Sequence, residues 1–116
     1  MRLAIAFVFG VAFSLACCVS MRDRAALSLH ESKATGDAFA ERLHSRCTLG
    51  YQAAISPQDV ARLDAACLPA RRALDDYRDA WVDLRLSVER EEADDVLRVK
   101  IVRLNTCASV LGSLAL

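Results

Sequence analysis

From residue 63 onward, Leu63, Cys67, Ala70, Leu74, Tyr77, Trp81, Leu84 and Val88 recur at alternating steps of four and three. That rhythm places them on one stripe of an α-helix and forms a heptad seam, so one long face is expected to be buried. Arg72, Asp76, Asp79 and Asp83 fall on the opposite, solvent side, and Arg71/Asp75, Arg72/Asp76 and Arg85/Glu89 have the i,i+4 spacing of helical ion pairs. The start of this helix is marked by Ile55-Ser56-Pro57-Gln58-Asp59-Val60. Ser56 suits an N-cap, and Pro57 suits the first helical position, where its missing N–H goes unpaired anyway. Asp59 meets the positive end of the helix, and Ile55 and Val60 are spaced for a hydrophobic staple. Pro69 removes one backbone hydrogen bond and is expected to kink the rod or restart it near Leu68.

Upstream, Phe39, Leu43, Cys47, Tyr51 and Ala54 repeat every three or four residues. The spacing predicts a helix over 37–54 that packs against the one after Ser56, with Gly50 weakening its last turn. Residues 21–36 are helix-compatible through Ala25, Ala26, Leu27 and Leu29, with Thr35-Gly36-Asp37 as a point of interruption. Downstream, Glu89-Arg90-Glu91-Glu92-Ala93-Asp94-Asp95 breaks the apolar seam. A turn here is favoured over a continuous helix. Asp94 or Asp95 would then cap a final helix with the face Leu97, Ile101, Leu104, Ala108 and Leu111, and folding back would bury the tail from Val110 to Leu116. With four glycines, two prolines and few β-branched runs, a sheet has little to be built from. The expected fold is all-α: an antiparallel helical hairpin or three-helix bundle after an N-terminal signal or anchor segment.

That segment is residues 1–19, MRLAIAFVFGVAFSLACCV, in which Arg2 precedes an uncharged apolar run ending in small residues and two cysteines. It has the layout of an export signal. The run of about 17 apolar residues falls short of the about 20 that a permanent membrane span requires. Three outcomes are open. Ser14-Leu15-Ala16 is a small-x-small cleavage site that would leave Cys17 first; Leu15-Ala16-Cys17-Cys18 resembles a bacterial lipobox, making Cys17 or Cys18 a lipidation candidate; or the segment stays as an anchor. Residues 20–116 then form a single small helical domain, too short for two.

Fifteen Lys and Arg balance fifteen Asp and Glu, so no net field favours nucleic acid, and no nucleic-acid partner is expected. Thirteen of the basic residues are arginine and twenty residues are alanine, a bias that reads as a GC-rich bacterial or phage source.

Export gives the cysteines meaning. Cys47 and Cys67 stand nine residues before and eleven after Ser56. In an antiparallel hairpin they share one height, about 15 Å from the bend. Both lie on the predicted seams. A bridge closing a loop of about 20 residues would stabilise by about 3 kcal/mol in an oxidising compartment, the alternative being two small buried apolar side chains. Cys107 is left over as an unpaired thiol, for buried packing, for an intermolecular bond, or for one of the leader cysteines if those are retained. His44 and Cys47 share one helical turn, but with His30 remote they fall short of the three or four ligands of a zinc site. The acidic run Asp75, Asp76, Asp79 and Asp83 is neutralised by interleaved arginines, and Tyr77 with Trp81 reads as core. No haem-attachment, phosphate-loop or nucleophile-elbow motif occurs, so no cofactor, metal or catalytic residue is expected and the protein is not expected to be an enzyme.

The stretch from Phe39 to Ala80, centred on LGYQAAISPQDVARLDAACLPARRALDDYRDA, resembles the small exported helical-hairpin proteins and lipoproteins of phages, prophages and bacterial envelopes. These combine a signal or lipobox with a short polar turn between two alanine-rich helices. The Ile55-Ser56-Pro57-Gln58 turn also resembles the LTxxQ motif of periplasmic stress chaperones, but its glutamine comes one place early and no second copy follows, so chaperone activity is not carried over. The resemblance implies a cell-envelope structural or interaction protein in the periplasm or anchored at a membrane. Its expected partners are the membrane, through leader or lipid, and a second copy or an envelope protein, through an apolar helical face, which residues 97–116 would enlarge into a contiguous strip if they did not fold back. The alternatives are a periplasmic metal-responsive or stress-sensing protein using His44 and the thiols, and a phage lysis accessory lipoprotein.

Overall fold

The computed structural model of the chain describes residues 19–116. These residues form an all-α fold with no strand among them. Helix α1 (Met21–Leu43) runs into a π-helical turn (His44–Thr48) and a short helix α2 (Leu49–Ala53), so that one rod reaches the bend. Helix α3 (Pro57–Glu89) returns antiparallel to it, and α4 (Asp94–Ser113) folds back again. The three long helices each pack on the other two and form a three-helix bundle.

The bend follows the chemistry of its residues. Ser56 is the N-cap of α3, its hydroxyl accepting from the Asp59 N–H at 3.2 Å, with Pro57 in the first turn. The staple does not form: Ile55 is 95% exposed and Val60 is also on the surface. Ala54 before it is extended, ending the helical path of the chain ahead of Ile55. Helix α3 runs unbroken through Pro69 rather than restarting at Leu68. Pro69 is exposed, on the side where water can take over the carbonyl that its missing N–H leaves without a helical partner. Cys67, Ala70, Leu74, Tyr77, Ala80 and Leu84 are buried, while Leu63, Trp81 and Val88 pack at the edge of the core.

Helix α1 does not break at Thr35-Gly36-Asp37 and starts at Met21, well before residue 37. Its buried line is Ala25, Ser32, Gly36, Phe39 and Leu43. Glycine in a helix interior ordinarily weakens it by about 1 kcal/mol. Here it lets another helix in. A β-carbon on Gly36 would lie 2.6 Å from Cζ and 2.7 Å from Oη of Tyr77. The Tyr77 hydroxyl donates to the Ser32 carbonyl at 2.8 Å, and one turn along α3 the Trp81 indole N–H donates to the Leu29 carbonyl at 3.0 Å. Two aromatic side chains thus bury their rings and satisfy their polar atoms on the backbone of α1.

The π turn has a cause in the spacing. Phe39, Leu43, Cys47 and Tyr51 are each four apart. At 3.6 residues per turn every step of four overshoots a full circle by about 40°, so an unbroken α-helix would carry Tyr51 off the seam. One wider turn absorbs the excess and keeps Cys47 fully buried.

Helix α3 ends in a Schellman turn. The Glu92 N–H donates to the Ser87 carbonyl and the Glu91 N–H to the Val88 carbonyl, both at 3.1 Å, with Glu91 left-handed at φ 55°. The N-cap of α4 is Ala93, with no side-chain cap; Asp94 and Asp95 instead sit in the first turn, where their negative charges meet the positive end of the helix dipole. Leu97, Leu104 and Leu111, spaced seven apart, are buried between α1 and α3, with Ile101 and Ala108 beside them. Val110 is exposed, whereas Leu114 and Leu116 pack against the core.

Candidate functional site

Three places concentrate chemistry: the cysteine pair, a polar cluster at the α3–α4 turn, and a cleft around Cys107. Cys47, on the π turn, and Cys67, in the third turn of α3, are brought together in disulfide geometry, with Cα atoms 5.8 Å apart. Both are fully buried. Just beyond them the Tyr51 hydroxyl donates to Asp64, and Arg71 lies over the Tyr51 ring at 5.7 Å from its centre. Cys17 and Cys18, like all of residues 1–18, lie outside the described residues.

The polar cluster was not foreseen. Asp83, expected on the solvent side of α3, is half-buried and faces α4: Lys100 approaches one of its oxygens at 3.2 Å and Arg103 the other at 3.5 Å. Lys100 also contacts Glu92 at 3.2 Å and donates to the Ser87 hydroxyl, which is buried. Of the three i,i+4 pairs read from the sequence, Arg85 and Glu89 approach within 3.9 Å. The signal for the cluster was Ser87 on the apolar side of α3, four residues from Asp83, opposite the sole lysine of the final helix.

A serine hydrogen-bonded to a lysine can be a nucleophile and its base, provided the lysine is neutral and the serine reachable. Neither holds here. Burial works against the Lys100 charge, but hydrogen bonds to Asp83 and Glu92 outweigh it and raise the ammonium's pKa above the ordinary lysine value. The Ser87 hydroxyl and the Lys100 ammonium beside Glu92 hold its carboxyl below the usual carboxylate range. The cluster therefore acts as a charged clasp that ties the end of α3 and the turn to α4.

Cys107 is half-buried and opens into a cleft of about 320 Å³ between α3 and α4, lined by Leu68, Pro69, Ala73 and Val110 together with the polar Arg72, Asp76 and Thr106. No second cysteine lies in that lining, and Cys107 is a free thiol. His30 and His44 are both exposed. Cys47 is engaged with Cys67 and is not free to join His44 on a metal. Among the described residues no group of three His, Cys, Asp or Glu side chains could hold a metal ion. Tyr77 and Trp81 face the core, Trp81 with Arg85 over its ring at 5.3 Å. Among the described residues no helix is long and apolar enough to cross a membrane. No protein-family model, no curated protein and no solved structure matches the chain.

Proposed function

We propose that the protein is a non-enzymatic component of the cell envelope, exported by its leader and held at a membrane by that segment or by lipid on Cys17 or Cys18, where it presents a helical surface to a partner. The observation that carries this reading is an apolar leader joined to one end of a rod. Arg22, at the start of α1, pairs with Glu91 of the α3–α4 turn at 3.4 Å, while the Ala54–Ser56 bend lies at the other end. The 33 residues of α3 span about 50 Å. Attached through its leader, the rod would hold its bend about that far from the membrane. Val96, Val99 and Val102 are exposed along α4 and offer an apolar face to an envelope protein or a second copy.

Mass spectrometry of the native, unreduced protein, taken from separated membrane and soluble fractions, tests the reading. A chain in the membrane fraction, either full length or cleaved before Cys17 or Cys18 and carrying an acyl mass, with two thiols lost to a bridge, is the expected result. The full-length chain in the cytosolic fraction, unmodified and with all its thiols free, would overturn it.

A further inference from the structure

No residue from 48 to 66 is buried. This stretch holds the end of the π turn, α2, the bend and the first turns of α3; the fully buried core stops at Cys47 and Cys67, and in the stretch Tyr51 and Leu63 pack against it while only partly buried. Leu68 and Pro69, immediately beyond Cys67, already border the last turns of α4 through Thr106, Cys107 and Val110. The molecule thus consists of a three-helix body and a two-helix arm, with the cysteine pair at their junction. The contacts that hold the arm are few: the Tyr51–Asp64 hydrogen bond, Arg71 over the Tyr51 ring, and Leu63, whose Cδ2 lies 3.0 Å from where a β-carbon on Gly50 would be. Leu49 and Ile55 are exposed. The body, by contrast, buries Phe39, Leu74, Leu84, Leu97, Leu104 and Leu111 together.

We infer that the Cys47–Cys67 bridge substitutes for the missing core of the arm: residues 48–66 keep their paired helical form only while it is closed, and a dithiol reductant releases the arm while the body stays folded. A helical hairpin without buried side chains lacks the packing that offsets its conformational entropy. The bridge supplies that ordering by holding the two helical limbs of the arm together at their base. In the opening step a thiolate of the dithiol attacks one sulfur, breaking the Cys47–Cys67 bond and forming a mixed disulfide. The second thiol of the reductant then closes its own disulfide. Two electrons and two protons pass to Cys47 and Cys67, which leave as thiols. Both sulfurs belong to fully buried residues, so the reductant reaches them when the arm frays from the bend inward.

Amide hydrogen exchange of the full chain, read by mass spectrometry with and without dithiothreitol, and in the Cys47→Ala/Cys67→Ala double variant, tests it. The variant lacks the bridge whatever the access of the reductant. Exchange across 48–66 is expected to accelerate at least about tenfold in the variant, and in the wild type once thiol titration shows the bridge open, while segments 70–86 and 97–111 keep their protection. Unchanged protection of 48–66 in the variant would overturn the inference, because the arm would then stand unaided. Loss of protection throughout the chain would overturn it equally, because body and arm would then be one cooperative unit.

Discussion

At Gly36 the missing side chain is filled by the ring of Tyr77, whose hydroxyl ends on the Ser32 carbonyl one turn away. Gly36→Ala should therefore destabilise the protein by about 1–3 kcal/mol, because overpacking outweighs the better helix propensity of alanine. Urea melts followed by circular dichroism would show it. Glu91 presents the reverse case: a non-glycine residue at φ 55° in a turn position that glycine occupies without strain. Glu91→Gly should stabilise by about 1 kcal/mol, and losing the exposed Arg22 pair should offset little of that gain in the same melts. The charged clasp sets the shape of the pH profile. The Glu92 carboxyl is lowered, so its contribution is present above the ordinary carboxylate pKa and is lost as pH falls through the folded value beneath it. Lys100 is raised, and burial raises the Tyr77 phenol, so both contributions are full below their ordinary values and are lost as pH climbs through the higher folded ones. Denaturant midpoints across pH should show Glu92→Gln flattening the acid limb and Tyr77→Phe the alkaline one.

The helices differ in how far their sequence betrays them. Helix α3 is legible because Ser56 and Pro57 mark its start and the four-three rhythm continues as far as Val88. The face of α4 is legible for the same reason, as is the placing of Cys47 and Cys67 at one height. The continuity of α1 is not, because Gly36 reads locally as a breaker and only the Tyr77 ring from a distant helix makes it an asset. The π turn is half-legible: three successive steps of four are visible, but whether the chain leaves the seam or widens a turn depends on what α3 offers opposite. The Schellman turn hides because its left-handed residue is Glu91 rather than glycine. The polar cluster at that turn hides as well, since Asp83, Ser87, Glu92 and Lys100 come from both sides of a turn whose geometry the sequence does not print. Cys107 was visible as a leftover thiol, but its cleft needed the packing of α4 on α3.

In the molecule as a whole, α4 changes a hairpin into a bundle. Its three leucines lie in the groove between α1 and α3, and Leu104 is fully buried there. Leu104→Ala should cost about 3–4 kcal/mol, a large part of what a domain of this size has, and the loss should appear as a lower urea midpoint. The division into body and arm also determines what an optical probe can see. The chain has a single tryptophan, and Trp81 sits where α3 meets α1, its indole bonded to the Leu29 carbonyl and its ring under Arg85. Its emission is therefore a native gauge of whether the first and third helices remain docked, blind to events at the far bend. A solution whose fluorescence holds steady while its far-ultraviolet helical signal declines would be reporting a partly undone molecule, without any label having been attached.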